Sequence, residues 1–206
     1  MKIGVLQTGS MPEGLVDRYG SYVTMFERLL QRSDPSFTAQ LWDVNEKHEI
    51  PNSPFDAEGW LITGSRHGVY EDHPWIGPLK TFLREAHAAR AHLVGVCFGH
   101  QIIAQALGGK VEKFKDGWAV GRQTYAWQGQ DISLNAWHQD QVVTRPVDAK
   151  PLAGNDFCEN AALIYGQKAF TVQPHPEFES DVIDGLATHR GPGVVPDSLL
   201  DQARGD

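Results

Sequence analysis

The first half of the chain alternates between short apolar runs and longer segments with apolar residues at helical spacing. The apolar runs predict buried strands at residues 2–7, 38–44, 59–63 and 93–96. The helical spacing predicts helices at residues 15–31, 75–91 and 98–107. Gly108 and Gly109 are expected to end the third helix, because glycine adopts the left-handed conformation of a C-cap at little cost. Strands that alternate with helices favour a parallel sheet covered on both faces.

The pattern changes after Gly109. Strand-like segments follow one another with no convincing helix between them, at residues 111–114, 120–127, 141–144, 152–157, 161–165 and 169–173. Residues 180–189 predict a last helix, whereas residues 198–204 offer few apolar positions, so this tail is expected to fray or to be cut short. We predict an α/β fold with a mostly parallel central sheet flanked by helices and an antiparallel β extension. One domain is expected over residues 1–206, with a catalytic core to about residue 185.

Composition and charge limit the partners of the protein. The chain has 206 residues, of which 41% are hydrophobic, and this is enough to bury a core. Its 18 Lys and Arg residues against 26 Asp and Glu give a net charge of −8, which argues against nucleic acid and anionic membranes as partners. The longest apolar run, at residues 93–96, is too short to span a bilayer, and the N-terminus lacks the pattern of a signal peptide. A cytoplasmic protein is expected.

The strongest chemical signal is a cysteine where a predicted strand meets a predicted helix. Gly95-Val96-Cys97-Phe98-Gly99 has the Gly-x-Cys-x-Gly form of a nucleophile elbow, whose glycines let neighbouring backbone pass closely. The helix N-terminus favours a thiolate at Cys97, and the N–H of Phe98 would face a developing oxyanion. The alternative is an ordinary buried cysteine between incidental glycines.

A second signal follows the last predicted strand. A nucleophilic cysteine needs a base and a group that orients the base. His175-Pro176-Glu177 offers both, because residues two apart at the end of a strand project to one side, and Pro174 and Pro176 stiffen the segment. His175 is therefore the candidate base and Glu177 its orienting partner. The alternative is a turn histidine between two prolines.

Three further segments carry weaker signals. Thr63-Gly64-Ser65 ends a predicted strand, and its amides would supply a second oxyanion donor or form a plain turn. Asp72 or His73 is expected to cap the helix that begins near Pro74. The segment Trp137-His138-Gln139-Asp140 is either a polar turn between strands or part of a substrate site.

Cys158 and the histidines other than His138 and His175 suggest no further chemistry. Cys158 has no elbow and no helix start, so a structural role is expected. The sequence contains no Cys-x-x-Cys and no His-Glu-x-x-His, and the nine histidines are scattered, so no metal site is predicted. No cofactor is expected either.

Taken together, these motifs resemble the class I glutamine amidotransferase family, whose site is a Cys-His-Glu triad and whose fold is flavodoxin-like. The resemblance rests on residues 95–101, on residues 175–177 and on residues 63–65, in the order of the family. It implies that Cys97 attacks the γ-carbonyl of glutamine, that His175 protonates the departing ammonia and then activates water, and that Gly64 and Phe98 form the oxyanion hole. It also implies that Gln101 lines the glutamine pocket, and that the α-carboxylate is received near His138, at the backbone of Gln139 and Asp140.

The segment from Gly64 to Trp75 is similar to a stand-alone branch of this family, which includes the glutaminase half of GMP synthetase and plant γ-glutamyl peptidases. A chain of this length has no room for a synthase domain. Three possibilities stay open: a glutaminase that supplies ammonia to a partner synthase, a free-standing γ-glutamyl peptidase, and a catalytically silent binding or regulatory subunit. In a peptidase, residues 70–75, including Tyr70, are expected to line the leaving-group side of the pocket.

Overall fold

The computed structural model describes residues 1–204. Its strands are β1 (Lys2–Gln7), β2 (Thr38–Asp43), β3 (Gly59–Ile62), β4 (Leu93–Val96), β5 (Lys110–Lys113), β6 (Ala119–Trp127), β7 (Gln130–His138), β8 (Asp140–Thr144), β9 (Ala149–Gly154), β10 (Ala162–Tyr165) and β11 (Ala169–Val172). Its helices are α1 (Glu13–Tyr19), α2 (Tyr22–Gln31), α3 (Ile76–Ala88), α4 (Phe98–Ala106), α5 (Ser180–His189) and α6 (Asp197–Ala203).

Nine of these strands form one mixed sheet in the order β2-β1-β3-β4-β11-β10-β9-β6-β7. The first five strands in this order run parallel, and the last four add to them in antiparallel fashion. Strands β5 and β8 pair in a small separate sheet. The predicted fold class, a mostly parallel sheet with an antiparallel extension, is confirmed. Because β1, β3, β4 and β11 are parallel, their carboxyl ends meet at one edge, where ligands bind in open α/β sheets.

Helices cover both faces of the parallel strands. On one face, α1, α2, α5 and α6 pack through buried residues such as Leu15, Phe26 and Ile183 against the sheet. On the other face, α3 and α4 contribute residues such as Leu79 and Ile102. Both clusters are apolar, so the central strands are buried on both sides, which explains why their sequences are continuous apolar runs.

The single helix predicted over residues 15–31 is wrong. The structure has two helices, which are separated at Gly20 and Ser21. Gly20 has a φ of 87°, which a helix cannot accommodate, and Ser21 begins a new helix by accepting a hydrogen bond from the amide of Thr24 at 3.3 Å. Apolar spacing carries across the break because both helices pack on the same face of the sheet.

Two other local predictions are wrong. Neither Asp72 nor His73 caps α3, because Trp75 occupies the N-cap position and the imidazole of His73 contacts Glu71 instead. The strand predicted at 152–157 lies at Ala149–Gly154, and β7, which no pattern predicted, pairs with β6 along its whole length. Strand β7 alternates polar and apolar residues at one edge of the sheet, so its sequence lacks a buried run.

The predicted C-terminal weakness did not prevent a helix from forming. Residues 197–203 form α6, whose Leu200 and Ala203 are buried against α5 and the sheet. Within residues 1–204, no helix combines the length and the apolar character that crossing a bilayer requires.

Candidate active site

Cys97 stands at the sharp turn between β4 and α4. Its backbone has a φ of 53° and a ψ of −104°, a conformation that side chains with a Cβ rarely adopt. Its amide donates to the carbonyl of Val172 on β11 at 2.9 Å, and its carbonyl accepts from the amide of Gln101 at 3.1 Å. The strained residue is thus held from both sides, and only 5% of its surface is exposed.

The two glycines of the elbow are required by close backbone approach. A Cβ at Gly95 would lie 2.5 Å from the carbonyl oxygen of Gly99. A Cβ at Gly99 would overlap the carbonyl of Ile62 on β3, and the amide of Gly99 donates to the carbonyl of Thr63 at 3.1 Å. Helix α4 therefore packs directly on the backbone of β3 and β4, and this packing fixes where Cys97 points.

His175 and Glu177 follow β11 and reach the same place. Nδ1 of His175 lies 2.7 Å from Oε1 of Glu177, and because a carboxylate only accepts, Nδ1 carries the proton. The amide of His175 donates to the carbonyl of Asn135 on β7 at 2.8 Å. The ring of Phe178 stacks on the imidazole with centroids 4.0 Å apart and planes 3° apart. The position of the imidazole is therefore fixed by the backbone hydrogen bond of His175, by the contact with Glu177 and by the stacked ring of Phe178.

Charge governs the protonation of His175. Burial by itself lowers the pKa of His175, but the adjacent Glu177 carboxylate and the sulfur of Cys97 favour the imidazolium more strongly. The net effect raises the pKa of His175. A cysteine next to a histidine that holds its proton is the environment in which a thiolate forms.

Gly64 lies against both of these side chains. A Cβ at Gly64 would come within 2.9 Å of Cε1 of His175 and 3.8 Å of Cβ of Cys97, so a larger residue would displace the imidazole. The turn that holds Gly64 is tied to the end of β1. There the hydroxyl of Thr8 donates to the carbonyl of Thr63 at 2.9 Å, and the amide of Thr8 donates to Oγ1 of Thr63 at 3.0 Å.

Two backbone amides next to Cys97 are left without an acceptor in the described part of the chain. Among residues 1–204, no group accepts a hydrogen bond from the N–H of Gly64 or of Phe98. Phe98 is the first residue of α4, so its N–H belongs to the positive end of the helix. Free amide donors of this kind are suited to bind an oxyanion.

A cavity of about 370 Å³ opens above these residues. Cys97 and His175 line its base, and we call these two residues, together with Gly64, Phe98 and Glu177, the floor. Exposed or half-buried polar side chains line its opening, and we call them the rim: Arg66, His67, Tyr70, Glu71 and Lys113.

One wall of the cavity contains a buried amide network. Nε2 of Gln101 donates to the carbonyl of Asp140 at 2.9 Å and to Oε1 of Gln173 at 3.1 Å. Both N–H groups of the Gln101 amide are therefore occupied, and its carbonyl oxygen remains as an acceptor. Gln173 was not predicted as a site residue, although it is fully buried and lies two residues before His175.

His138 lies on the same wall as a neutral acceptor. Burial lowers the pKa of His138 to about 3, so the ring carries one proton at neutral pH. Nδ1 lies 3.3 Å from the carbonyl of Asp140, which only accepts, so the proton is on Nδ1. Nε2 is then an acceptor, and among the described residues it is buried without a hydrogen-bond partner.

Tyr70 and Asp140 both line the cavity and interact with each other. The pKa of Asp140 is raised by burial, and the pKa of Tyr70 is raised to about 12 by burial and by the charge of Asp140. The backbone carbonyls of Gln139 and Asp140 already accept internal hydrogen bonds, from Phe114 and from Gln101. All five predicted substrate-binding residues, Gln101, His138, Gln139, Asp140 and Tyr70, line this one cavity.

Cys158 lies in a different environment. It is 2% exposed, burial raises the pKa of its thiol to about 12, and its amide donates to Oδ1 of Asn155 at 2.7 Å. Burial outweighs the opposing effect of a backbone hydrogen bond from Asn160, so this environment favours the neutral thiol.

Several residues that shape the site escaped prediction. Thr8, Asn135 and Arg190 come from three distant parts of the sequence, and only the folded chain brings them to the floor. Arg190 lines the cavity and donates to the carbonyl of Ser10. No local pattern marks these residues, because each acts through a contact with a segment far away in sequence.

Comparison with known proteins places this chain in a family. Residues 14–186 match the family model described as glutamine amidotransferase class-I. Gamma-glutamyl peptidase 4 of Arabidopsis thaliana is 31% identical over 80% of this chain and 71% of its own length. The glutamine-hydrolysing GMP synthase of Methanococcus aeolicus has one subunit that is 26% identical over 85% of this chain and 87% of its own length.

A solved structure shares the fold. The crystal structure of a glutamine amidotransferase from Methylobacillus flagellatus superposes with a TM-score of 0.75 over 98% of this chain and 91% of its own, at 18% identity.

Proposed function

Because this chain belongs to the class I glutamine amidotransferase family, we propose that it hydrolyses a γ-glutamyl amide bond through a thioester on Cys97. The observation that carries the proposal is the floor itself. A cysteine strained at an elbow lies against a histidine whose other nitrogen is bound to a buried carboxylate, with two free amides alongside. This is the arrangement that nucleophilic catalysis requires.

The proposed reaction has two halves. In the first, the proton of the Cys97 thiol resides on His175, and the thiolate attacks the γ-carbonyl carbon. The amides of Gly64 and Phe98 stabilise the oxyanion, and the tetrahedral adduct collapses as His175 protonates the departing nitrogen. In the second half, His175 removes a proton from water, and the hydroxide attacks the thioester carbon. The C–S bond then breaks, which forms the γ-carboxylate of glutamate, and the Cys97 sulfur regains the proton from His175.

Glu177 serves this cycle by holding the imidazole in one tautomer. With Nδ1–H bound to Oε1 of Glu177, Nε2 of His175 is the nitrogen left to exchange protons with Cys97, the leaving group and water. Oε2 of Glu177 is buried without a partner within residues 1–204, so the carboxylate is a desolvated charge that favours the imidazolium.

The wall is assigned to the glutamyl part of the substrate. The acceptors there, Nε2 of His138 and Oε1 of Gln101, suit the α-ammonium group, which only donates. The α-carboxylate would then be bound by amides near Gln139 and Asp140, and Tyr70 would close the pocket from the rim.

Glutamine is the first candidate substrate, with ammonia as the leaving group. A γ-glutamyl peptide is the second, and the size and charge of the cavity favour it. About 370 Å³ of space extends from the floor to the rim, where Arg66 and Lys113 bring positive charge to an otherwise acidic protein. The carboxylate of a peptide leaving group would be attracted to these two side chains.

The family resemblance also suggests a setting. One relative belongs to a GMP synthase, so a synthase subunit that consumes the ammonia is a candidate partner. We place the reaction in the cytoplasm, because a reducing compartment keeps a catalytic thiol free, and both cysteines of the chain are free.

Release of glutamate and ammonia by the purified chain tests the proposal. The substrates are glutamine and a panel of γ-glutamyl dipeptides. The test variant is Cys97→Ala, and Cys158→Ala is its matched control. We expect turnover that Cys97→Ala abolishes and Cys158→Ala retains. Faster turnover of peptides than of glutamine would assign a peptidase, and turnover of glutamine alone a glutaminase. Full activity in Cys97→Ala would refute the mechanism, and silence on every substrate in the presence and absence of a synthase would leave a binding or regulatory role.

A further inference from the structure

The loop between β3 and α3 brings three metal-ligating side chains together. His67, Glu71 and His73 each offer one ligand atom, and these atoms lie within 4.8 Å of one another. Nδ1 of His67 is 3.2 Å from Oε2 of Glu71, and Nε2 of His73 is 2.7 Å from the same oxygen. Two imidazoles thus converge on a single carboxylate oxygen.

The two separations from Glu71 are close to those of a metal site. With ligands at about 2.0–2.2 Å from Zn²⁺ in tetrahedral arrangement, neighbouring ligand atoms stand roughly 3.3 Å apart. The pair from His67 to Glu71 has this separation, and the pair from His73 to Glu71 needs to open by about half an ångström. An imidazole ring reaches such a position by a small rotation.

The cluster is supported by contacts outside the three ligands. The other oxygen of Glu71, Oε1, accepts from the amide of Gly68 at 2.9 Å, so the carboxylate is oriented while Oε2 faces the imidazoles. The ring of His73 stacks with the buried Trp75, at a centroid distance of 5.9 Å and an interplanar angle of 11°. Partners that orient the ligands in this way are a regular feature of metal sites.

The donor set indicates which ion fits. Two neutral imidazoles and one carboxylate are a common ligand set for Zn²⁺ in sites that keep a fourth position open. The spacing His-x-x-x-Glu-x-His lies on a loop and differs from the helical His-Glu-x-x-His pattern, which explains why the sequence predicts no zinc site.

We propose that His67, Glu71 and His73 bind one Zn²⁺ ion at the rim, with the fourth position available to water or to an anionic group of a ligand. His67 and Glu71 also line the cavity that contains Cys97, so the bound ion lies at the opening of that cavity. None of the three ligands belongs to the floor, so metal binding can be measured separately from hydrolysis.

Calorimetric titration with ZnCl₂ tests the site. The protein is the full chain carrying Cys97→Ala, with any affinity tag removed, so that neither the catalytic thiol nor added histidines contribute. We expect saturable binding of one ion per chain. Adding His67→Asn or His73→Asn is expected to weaken binding by roughly 10-fold to 100-fold or more, and Glu71→Gln similarly. His48→Asn, at an exposed histidine far from the loop in sequence, is the matched control and keeps full affinity.

Two further readouts make the outcome decisive. Thermal unfolding without metal shows whether each variant folds as its parent does, and Co²⁺ in place of Zn²⁺ reports on the ligand geometry through its visible absorption. A tetrahedral Co²⁺ spectrum that is lost in well-folded His73→Asn or His67→Asn supports the site. Absence of binding in the Cys97→Ala protein, or equal affinity in the ligand variants and in His48→Asn, would overturn it.

Discussion

At the floor of the cavity, Cys97 and His175 are buried and held by backbone hydrogen bonds from strands on either side, whereas Arg66 and Tyr70 at the rim are exposed on loops. The difference follows from how each part is built. The floor is assembled at the carboxyl ends of parallel strands, where a shift of one residue would break the sheet. The rim is carried by connections that tolerate change. We infer that the floor sets the chemistry and that the rim sets which substrate is accepted.

The largest expected effect comes from Glu177→Gln. The glutamine side chain keeps the shape of Glu177 but not its charge, so it no longer favours the imidazolium of His175. We expect kcat/KM for a γ-glutamyl amide to fall roughly 10²–10⁴-fold, as for the loss of an orienting carboxylate in other triads. Steady-state kinetics measure this, with Glu179→Gln, an exposed neighbour, as the matched control. Equal rates for Glu177→Gln and the parent would contradict the catalytic role that is assigned to the floor.

The same variant has a signature in pH dependence. The pKa of His175 is raised above its unfolded value, so the bound proton stabilises the folded state fully below about pH 6.5, and this stabilisation is lost as the pH rises through the folded pKa. Glu177→Gln is expected to remove much of this contribution. Titration of the His175 ring by NMR would show its pKa falling in the variant, and an unchanged pKa would contradict the role assigned to Glu177.

The next effect concerns the backbone of the floor. In Gly99→Ala the new Cβ overlaps the carbonyl of Ile62, and α4 must move away from β3. We expect the free energy of unfolding to fall by about 1–3 kcal/mol, as for overpacking elsewhere, together with loss of activity. The matched control is Gly77→Ala on α3, where a Cβ meets nothing within 4 Å and is expected to stabilise the helix by up to about 1 kcal/mol. Urea unfolding measures the free energy of unfolding of both variants. If Gly99→Ala is as stable as the parent, α4 has room to adjust and the prediction is wrong.

A dependence on pH distinguishes two of the buried histidines, His100 and His138, from the exposed ones. Burial lowers the pKa of His100 and of His138 to about 3, so between about pH 6.5 and pH 3 the unfolded chain binds protons that the folded chain does not. Stability should therefore fall with decreasing pH by up to about 1.4 kcal/mol per pH unit for each such histidine. His100→Asn is expected to reduce this slope, whereas His48→Asn at the surface keeps it. Urea unfolding across this pH range gives the slopes, and equal slopes in both variants would be the contrary result.

The smallest effect is expected at the rim. Arg66→Gln and Lys113→Gln each remove one exposed charge, which is screened by solvent. We expect kcat/KM for γ-glutamyl dipeptides with a free carboxylate to fall roughly 2–5-fold, mostly through KM, and less at high salt. Glutamine turnover should stay unchanged in both variants. Lys47→Gln, far from the cavity lining, is the matched control. An equal loss for glutamine and for peptides would contradict a role of these residues in substrate selectivity and would indicate an effect on stability.

What the sequence reveals about this molecule depends on the range of the interaction involved. The strands and the Cys97 elbow are encoded locally, by apolar runs and by glycines at fixed spacing, and strand ends that share an edge meet by topology. Gln173 and Thr8 are different, because their roles come from contacts with Gln101 and Thr63 that no pattern foretells. The break at Gly20 was not predicted for the opposite reason. The apolar spacing continues across the break, and a single residue with positive φ leaves no mark on that spacing.

The most direct test of the central claim is covalent labelling with a chloroketone analogue of glutamine. After limited reaction, peptide mapping by mass spectrometry compares Cys97 with Cys158, with and without excess glutamine or a γ-glutamyl dipeptide. We expect labelling of Cys97 alone, protection by substrate, and much slower labelling in Glu177→Gln. Equal labelling of both cysteines, or labelling of Cys97 that substrate does not slow, would contradict the assignment of Cys97 as the nucleophile of a γ-glutamyl site.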